Sequence, residues 1–390
     1  MKKPLMISLA ILIVILTVGI FVWLAWFKAE PVANAPYKPA PATTKPYVDE
    51  VFDKMTLKEK VASLFILHAS SKSPDTLKAF TDQYKSGGFI LMGDNIPSTD
   101  VGLKEITKAL RGDDSRLPGL VAVDEEGGSV KRLPGDDFPS AETLKNKYLT
   151  DTYDAFIKRS NLVASLGINL NFGIIADVTD NPNSFIYDRV LGTNPQTASD
   201  NVRAAVGASR GRTLSTIKHF PGHGETTGDS HVSIPSTNIS YESWQAKDML
   251  PFEAGVQGGA DLVMFGHLRY SSVDSLPASL SKKWHDILKD NLKFRGVAIT
   301  DDMVMLQSSG EAAFNDPVAN AISALNAGNA LLLYVLDNQG AVRTKIDPAA
   351  LIDGVAAAVN DGRISKSLID TDVKQILLLR NSIEPFAQNQ

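Results

Sequence analysis

Short apolar runs recur along most of the chain: Phe65–Leu67, 88–92, Leu120–Val123, Leu170–Ile175, 214–217, Leu262–Phe265, 297–299 and 330–334. Most are separated by stretches with helical spacing of apolar positions, among them 101–110, 151–166, 201–209, 242–256, 281–292 and 316–325. A capping-box pattern, Thr56-Leu57-Lys58-Glu59, opens the series, with Val61, Leu64 and Phe65 at helical intervals behind it. Strands that are apolar throughout and alternate with amphipathic helices predict a parallel sheet covered on both faces. Eight of them predict an α/β fold of the (β/α)8, TIM-barrel type. A doubly wound open sheet is the rival, but it calls for a glycine-rich phosphate loop after the first strand. Here that place reads His68-Ala69-Ser70-Ser71-Lys72. Polar groups follow several other runs: Asp124-Glu125-Glu126, Lys218-His219, Gly266-His267 and Asp301-Asp302. A barrel gathers such strand ends on one face.

Ahead of this domain the pattern changes twice. Residues 5–27 form an uncharged, mostly apolar run, long enough to cross a bilayer as a helix of about 20 residues. Trp23 and Trp26 lie near its outer end, and Lys2 and Lys3 in the stub 1–4 precede it. This predicts a transmembrane anchor with the stub in the cytoplasm and the rest of the chain outside. Cleavage after Ala33-Asn34-Ala35, the secreted alternative, is disfavoured by Pro36. Residues 28–47 are rich in Pro, Ala, Lys and Thr and read as a semi-extended linker, which leaves 48–390 as the folded domain. The absence of cysteine excludes disulfides and lipidated cysteine. The net charge of −5, with no basic patch, argues against nucleic acid as a partner.

The densest chemistry lies at 218–231, KHFPGHGETTGDSH, which holds three of the six histidines. Its Pro and Gly residues break any helix, so it reads as a loop emptying from a strand that ends at residue 217. Three readings compete: a polar surface turn, a metal site built from His219, His223, Asp229 and His231, and acid–base chemistry. A metal pair of the H-x-x-x-H kind needs a helix that Pro221-Gly222 forbid. Asp229 and His231, two residues apart, can face the same way in an extended loop. A carboxylate beside an imidazole favours the ring's charged form and fixes its tautomer, which suits proton transfer. Asp301-Asp302 reads as a helix cap taken alone; on the same face as a proton donor, it becomes a candidate for chemistry instead.

The KHFPGHG block followed by Asp229-Ser230-His231 resembles glycoside hydrolase family 3, in its bacterial β-N-acetylglucosaminidase branch, over roughly residues 56–379. The resemblance implies a β-N-acetylhexosaminidase that needs neither cofactor nor metal. In it Asp229 and His231 form the acid–base dyad and Lys218 and His219 bind sugar hydroxyls. The context of Asp301 is similar to the family's nucleophile segment, with Asp302 as a cap or supporting residue. Residues 121–128, VAVDEEGG, resemble the segment in which Asp124 binds sugar hydroxyls. Arg189 falls where the family has a sugar-binding arginine, and Asp177 where a residue near the site is expected. His267, ending a strand, is expected to line the pocket; His68 and His285 are expected to be structural. Two positions depart from the family pattern: Ser129 replaces an arginine, with Lys131 and Arg132 nearby as candidates to compensate, and Glu225 stands where aspartate or alanine is common. The substrate expected is a terminal N-acetylglucosamine on cell-wall glycans outside the membrane, with no obligate protein partner. The alternatives are a β-glucosidase-like enzyme of the same family and a non-catalytic wall-glycan-binding protein.

Overall fold

Each of the eight apolar runs forms a strand, numbered here in chain order: β1 Phe65–Leu67, β2 Gly88–Leu91, β3 Leu120–Val123, β4 Leu170–Ile175, β5 Leu214–Phe220, β6 Leu262–Phe265, β7 Val297–Thr300 and β8 Leu332–Tyr334. The structure, a computed structural model, describes residues 45–112, 116–226, 228–336 and 346–383. The strands are parallel and lie in the order β8-β1-β2-β3-β4-β5-β6-β7. Leu331 bridges Ile299, and the Thr300 N–H donates to the Leu331 carbonyl at 3.2 Å, so the two ends of the sheet meet and the barrel is all but closed.

The alternation of side chains along each strand divides the core. Leu120 and Ala122 of β3 share a cluster with Leu170, Leu214, Leu262, Met264, Val297 and Ile299 from the next four strands. The intervening Val121 and Val123 pack instead with Leu103, Ile106 and Leu110 of the helix Asp100–Arg111. On β6, Val263 and Phe265 likewise join Phe252 of the helix Met249–Gly258. Both faces are thus buried, as a parallel sheet requires.

Three expectations about boundaries need correction. The stretch 242–256 is two helices, Tyr241–Ala246 and Met249–Gly258. Pro251 has no N–H and fits only the first turn of a helix, so a new helix starts there. β5 runs on to Phe220, so Lys218 and His219 belong to the strand rather than to the loop. Polar residues continue the strand because each finds a charged partner inside the barrel mouth. Lastly, the final residues of the expected linker open the helix Lys45–Lys54. Lys374 of the helix Lys366–Asn381 pairs with Asp49 of that helix at 2.9 Å. The apolar run 5–27 and the rest of the linker lie outside the described residues; among the described residues no helix is long and apolar enough to cross a membrane.

Candidate active site

The carboxyl ends of β3 to β7 bring the polar residues together. Glu126, just past β3, is the centre of the cluster, a place that the sequence alone does not assign to it. Its carboxylate takes a bidentate pair from Arg189, at 2.8 Å to Nε and 2.7 Å to Nη2, and lies 2.8 Å from Lys218 Nζ. Lys218 also donates to Asp124 Oδ1 at 2.7 Å. Burial works against the charge on Glu126, yet the Lys218 and Arg189 charges outweigh it and hold this carboxyl down at about 2. Burial opposes the Lys218 charge too, but Asp124 and Glu126 raise its pKa in turn. Lys218, Arg189 and Glu126 therefore remain ionised in a largely dry setting, with their directions fixed.

Asp177 follows β4 and organises the start of the 218–231 segment. Its Oδ2 accepts from His219 Nδ1 at 2.7 Å, and its Oδ1 accepts from the His223 N–H at 2.7 Å. The proton of His219 is thereby placed on Nδ1, and its Nε2 faces Arg189 Nη2 at 3.4 Å. Two glycines permit the close packing. A Cβ on Gly224 would collide with the Val178 carbonyl, and one on Gly266 would stand 3.1 Å from His219 Cβ.

Past β7, the two adjacent aspartates part company. The Asp301 backbone N–H donates to the Phe265 carbonyl at 2.9 Å. Burial would push the Asp301 pKa up, but His219, His267 and Lys218 draw it below the usual carboxylate range. Of these, burial lowers the pKa of His267, while Lys218 keeps its charge. Asp302 is turned inward, and its Oδ1 accepts from the Val304 and Val335 N–H groups at 3.1 and 3.0 Å. Burial pushes its pKa up to about 7, against those two hydrogen bonds. Its carboxyl ties the end of β7 to the end of β8, and the cap expected there takes this form.

His267 is buried, with Nδ1 2.7 Å from Ser279 Oγ and Nε2 3.0 Å from the Asp302 carbonyl. Both ring nitrogens are engaged by the protein, so His267 is placed to hold the 301–302 backbone rather than to offer a sugar a hydrogen bond. Ser129 is exposed at the tip of its loop, and Lys131 is tied to the Asp136 carbonyl at 2.9 Å. Glu125 turns away from the mouth, and its Oε2 accepts from the N–H groups of Arg132 and Leu133. Burial, first of all, and the neighbouring Asp136 push its pKa up, and its Oε1 is buried with no hydrogen-bond partner among the described residues.

Asp229 and His231 sit apart from this buried cluster, on the rim. Asp229 Oδ1 accepts from both the backbone N–H and Nδ1 of His231, at 2.9 and 2.6 Å. Their side chains are 40% and 57% exposed, the highest exposure of any pair at this face that the sequence singles out. With Nδ1–H committed to Asp229, Nε2 is the atom left for proton exchange. One neighbour has no signal in the sequence. Phe185, on the loop after β4, stands edge-on to His231 with ring centroids 5.9 Å apart and lies 5.7 Å from His223.

The histidines of 218–231 direct Nδ1 to three different partners: Asp177, Thr226 and Asp229. Among the described residues no three His, Cys, Asp or Glu side chains converge as metal ligands would.

Known proteins share both the sequence and this framework. The profile described as "Glycosyl hydrolase family 3 N terminal domain" matches residues 56–379. A β-hexosaminidase of Xanthomonas axonopodis pv. citri is 35% identical over 233 residues, which is 57% of this chain and 69% of that protein. Among solved structures, a family 3 β-N-acetylglucosaminidase from Paenibacillus superposes with a TM-score of 0.76 at 28% identity, covering 84% of this chain and 63% of that one. The LpqI protein of Mycobacterium tuberculosis does so with a TM-score of 0.74 at 27% identity, covering 89% and 97%. The profile match alone takes in most of the chain and nearly every element of the barrel, so the chain belongs to glycosyl hydrolase family 3 and is, on that membership, a glycoside hydrolase.

Proposed function

We propose that the chain is a retaining exo-β-N-acetylglucosaminidase that releases terminal N-acetylglucosamine from cell-wall-derived glycans. The observation that carries the reading is the separation of two carboxyl environments at one barrel mouth. Asp301 is drawn below the usual carboxylate range by His219, His267 and Lys218 together, while the Asp229–His231 pair offers a proton-transfer group at the rim. Relatives and structural neighbours named as β-hexosaminidases and β-N-acetylglucosaminidases support the choice of sugar.

In the first half-reaction an Asp301 oxygen attacks the anomeric carbon, and His231 Nε2 gives its proton to the departing glycosidic oxygen. The bond to the leaving group breaks as the glycosyl–Asp301 ester forms. In the second, the now neutral His231 takes a proton from water, the water oxygen attacks the same carbon, and the Asp301 carboxylate departs. Asp229 keeps the His231 proton on Nδ1 and stabilises the ring when it is charged. Asp124, Lys218, Arg189 and His219 supply fixed donors and acceptors for the hydroxyls of the terminal sugar, positioned by Glu126 and Asp177.

The anchor at 5–27 and the linker at 28–47 would place this domain outside the cytoplasmic membrane, facing wall glycans. Two measurements test the proposal. Aryl β-N-acetylglucosaminide should be cleaved far faster than the matching aryl β-glucoside, with the first-formed sugar in the β configuration. Digested peptidoglycan fragments should release free N-acetylglucosamine from their non-reducing ends. Equal rates on the two aryl glycosides, or an inverted product, would overturn the proposal.

A further inference from the structure

We propose that Phe185 is a positioning residue for the acid–base histidine, an inference that rests on the role given to His231 above. The two rings meet edge to face, at 5.9 Å and an interplanar angle of 68°, the arrangement aromatic quadrupoles favour. Phe185 itself is a fixed point. The next residue, Ile186, is fully buried with Ile175 of β4 and with Val190. Arg189, three positions further on, is clamped by Glu126 and lies 6.0 Å from the Phe185 ring centroid. The far side of the Phe185 ring abuts His223, which Asp177 and Thr226 hold in place.

The dyad, by contrast, is held mostly by itself. Among the described residues the hydrogen bonds of Asp229 and His231 stay within 229–233: the two bond to each other, and the Asp229 carbonyl accepts from the Val232 N–H and from Ser233 Oγ. Gly228, just ahead of them, has φ +105, a conformation that favours glycine. A hydrogen bond from Nδ1 to Asp229 fixes the tautomer of His231, but the pair can still swing together as one body. Ser230, between the two, is buried and anchors the backbone, and the contact with Phe185 ties the His231 ring itself to the rigid part of the mouth. It also explains why a phenylalanine stays 43% exposed at this place. The ring gives the imidazole a wall, so that Nε2 keeps one heading toward the barrel mouth.

Such a role acts on both proton transfers of His231, and kcat/KM, which reports only the steps up to the glycosyl–Asp301 ester, isolates the donation and sets the test. In the full-length protein, Phe185→Ala, Phe185→Leu and Phe185→Tyr are compared with wild type on aryl β-N-acetylglucosaminides whose leaving phenols range from dinitrophenol to unsubstituted phenol. Dinitrophenolate departs without a proton, whereas phenol needs one. Phe185→Ala and Phe185→Leu should lose on the order of tenfold in kcat/KM on the phenyl substrate. They should stay near wild type on the dinitrophenyl substrate, and Phe185→Tyr should restore the phenyl rate. His231→Ala serves as the reference and should show the same pattern with a larger amplitude. Equal losses across all leaving groups, or none in either Phe185→Leu or Phe185→Ala, would overturn the proposal while leaving the histidine's role intact. A flat response in His231→Ala would instead remove the acid–base reading, and the part given to Phe185 with it.

Discussion

The Asp302 backbone N–H donates to Asp301 Oδ1 at 2.8 Å, yet the carboxyls of the two residues are driven in opposite directions. Asp301 is drawn below the usual range despite its burial, while burial pushes Asp302 up to about 7. Neighbouring carboxyls with divergent pKa values divide the labour of a site: one is available as an anion, the other as a neutral partner. Asp301→Ala should lower turnover of an aryl β-N-acetylglucosaminide by at least about 10³-fold. Added azide should restore part of it by forming the α-glycosyl azide, because the small anion enters where the carboxylate stood. Asp302→Asn keeps a carbonyl oxygen for the Val304 and Val335 N–H groups and should retain turnover to within about tenfold. Asp302→Ala leaves both donors unpaired and buried, at a cost of about 1–3 kcal/mol each, and should show this first as a lower melting temperature. An Asp302→Asn variant as inactive as Asp301→Ala would reverse the two assignments.

The dyad predicts non-additivity. Removing a general acid–base group costs roughly 10²–10⁴ in rate. Asp229 acts only through His231, since its Oδ1 is spent on that residue's two N–H groups. His231→Ala and Asp229→Asn should each lower kcat/KM on a phenyl glycoside, the second by less. The double variant should be no slower than His231→Ala alone. Losses that multiply would show that Asp229 contributes independently, for instance by touching the sugar itself.

The barrel was legible in the sequence because parallel strands are buried on both faces. Runs such as Leu120–Val123 and Leu262–Phe265 therefore stand out as unbroken apolar segments with polar residues at their ends. The end of β5 was not, because buried polar residues mimic a loop. Lys218 and His219 continue the strand only through partners at Asp124, Glu126 and Asp177, which are 40 or more residues away in the chain. The Asp229–His231 pair was readable because its two members are neighbours in sequence. The place of Glu126 was not, since the two groups that define it, Arg189 and Lys218, come from distant parts of the chain. Its one trace is that it ends a row of three acids after a strand. Phe185 left no trace, because a single exposed aromatic in a loop looks the same whether or not a catalytic ring lies against it.

Glu126 should govern the acid limb of stability. Its folded-state pKa of about 2 lies below the ordinary glutamate value. A carboxyl lowered in this way adds stability that is complete above its unfolded pKa, near 4.3, and is lost as the pH falls toward 2. The depression corresponds to about 3 kcal/mol. Glu126→Gln leaves Arg189 and Lys218 short of a counter-charge in a buried place, and breaking such a network costs about 3–5 kcal/mol. At pH 7 this variant should melt several degrees below wild type, and the gap should narrow steadily between about pH 4.5 and pH 2. A gap that is constant across this window would mean that Glu126 is not ionised in the fold.

Asp248 should do the opposite on the alkaline side. It lies beneath Gly222, buried, and among the described residues neither of its carboxyl oxygens has a hydrogen-bond partner. Burial pushes its pKa up to about 8; Glu225 and Asp177 add to the effect and Lys247, which pairs with Glu225, works against it. The unfolded chain ionises this group near pH 4. Between about pH 4 and 8 the folded state therefore holds a proton that the unfolded state has lost, so stability falls as the pH rises through that window. By pH 7 the penalty is on the order of a few kcal/mol. Asp248→Asn has the same shape and cannot ionise, so it escapes the penalty. Its melting temperature should exceed wild type by several degrees at pH 8 and by much less at pH 4.5. The 221–225 turn packs on this side chain, so the variant should also keep its activity to higher pH than wild type does. Equal melting temperatures for the two proteins at pH 8 would show that Asp248 is already charged in the fold, and that a partner for its oxygens exists among the groups around Gly222.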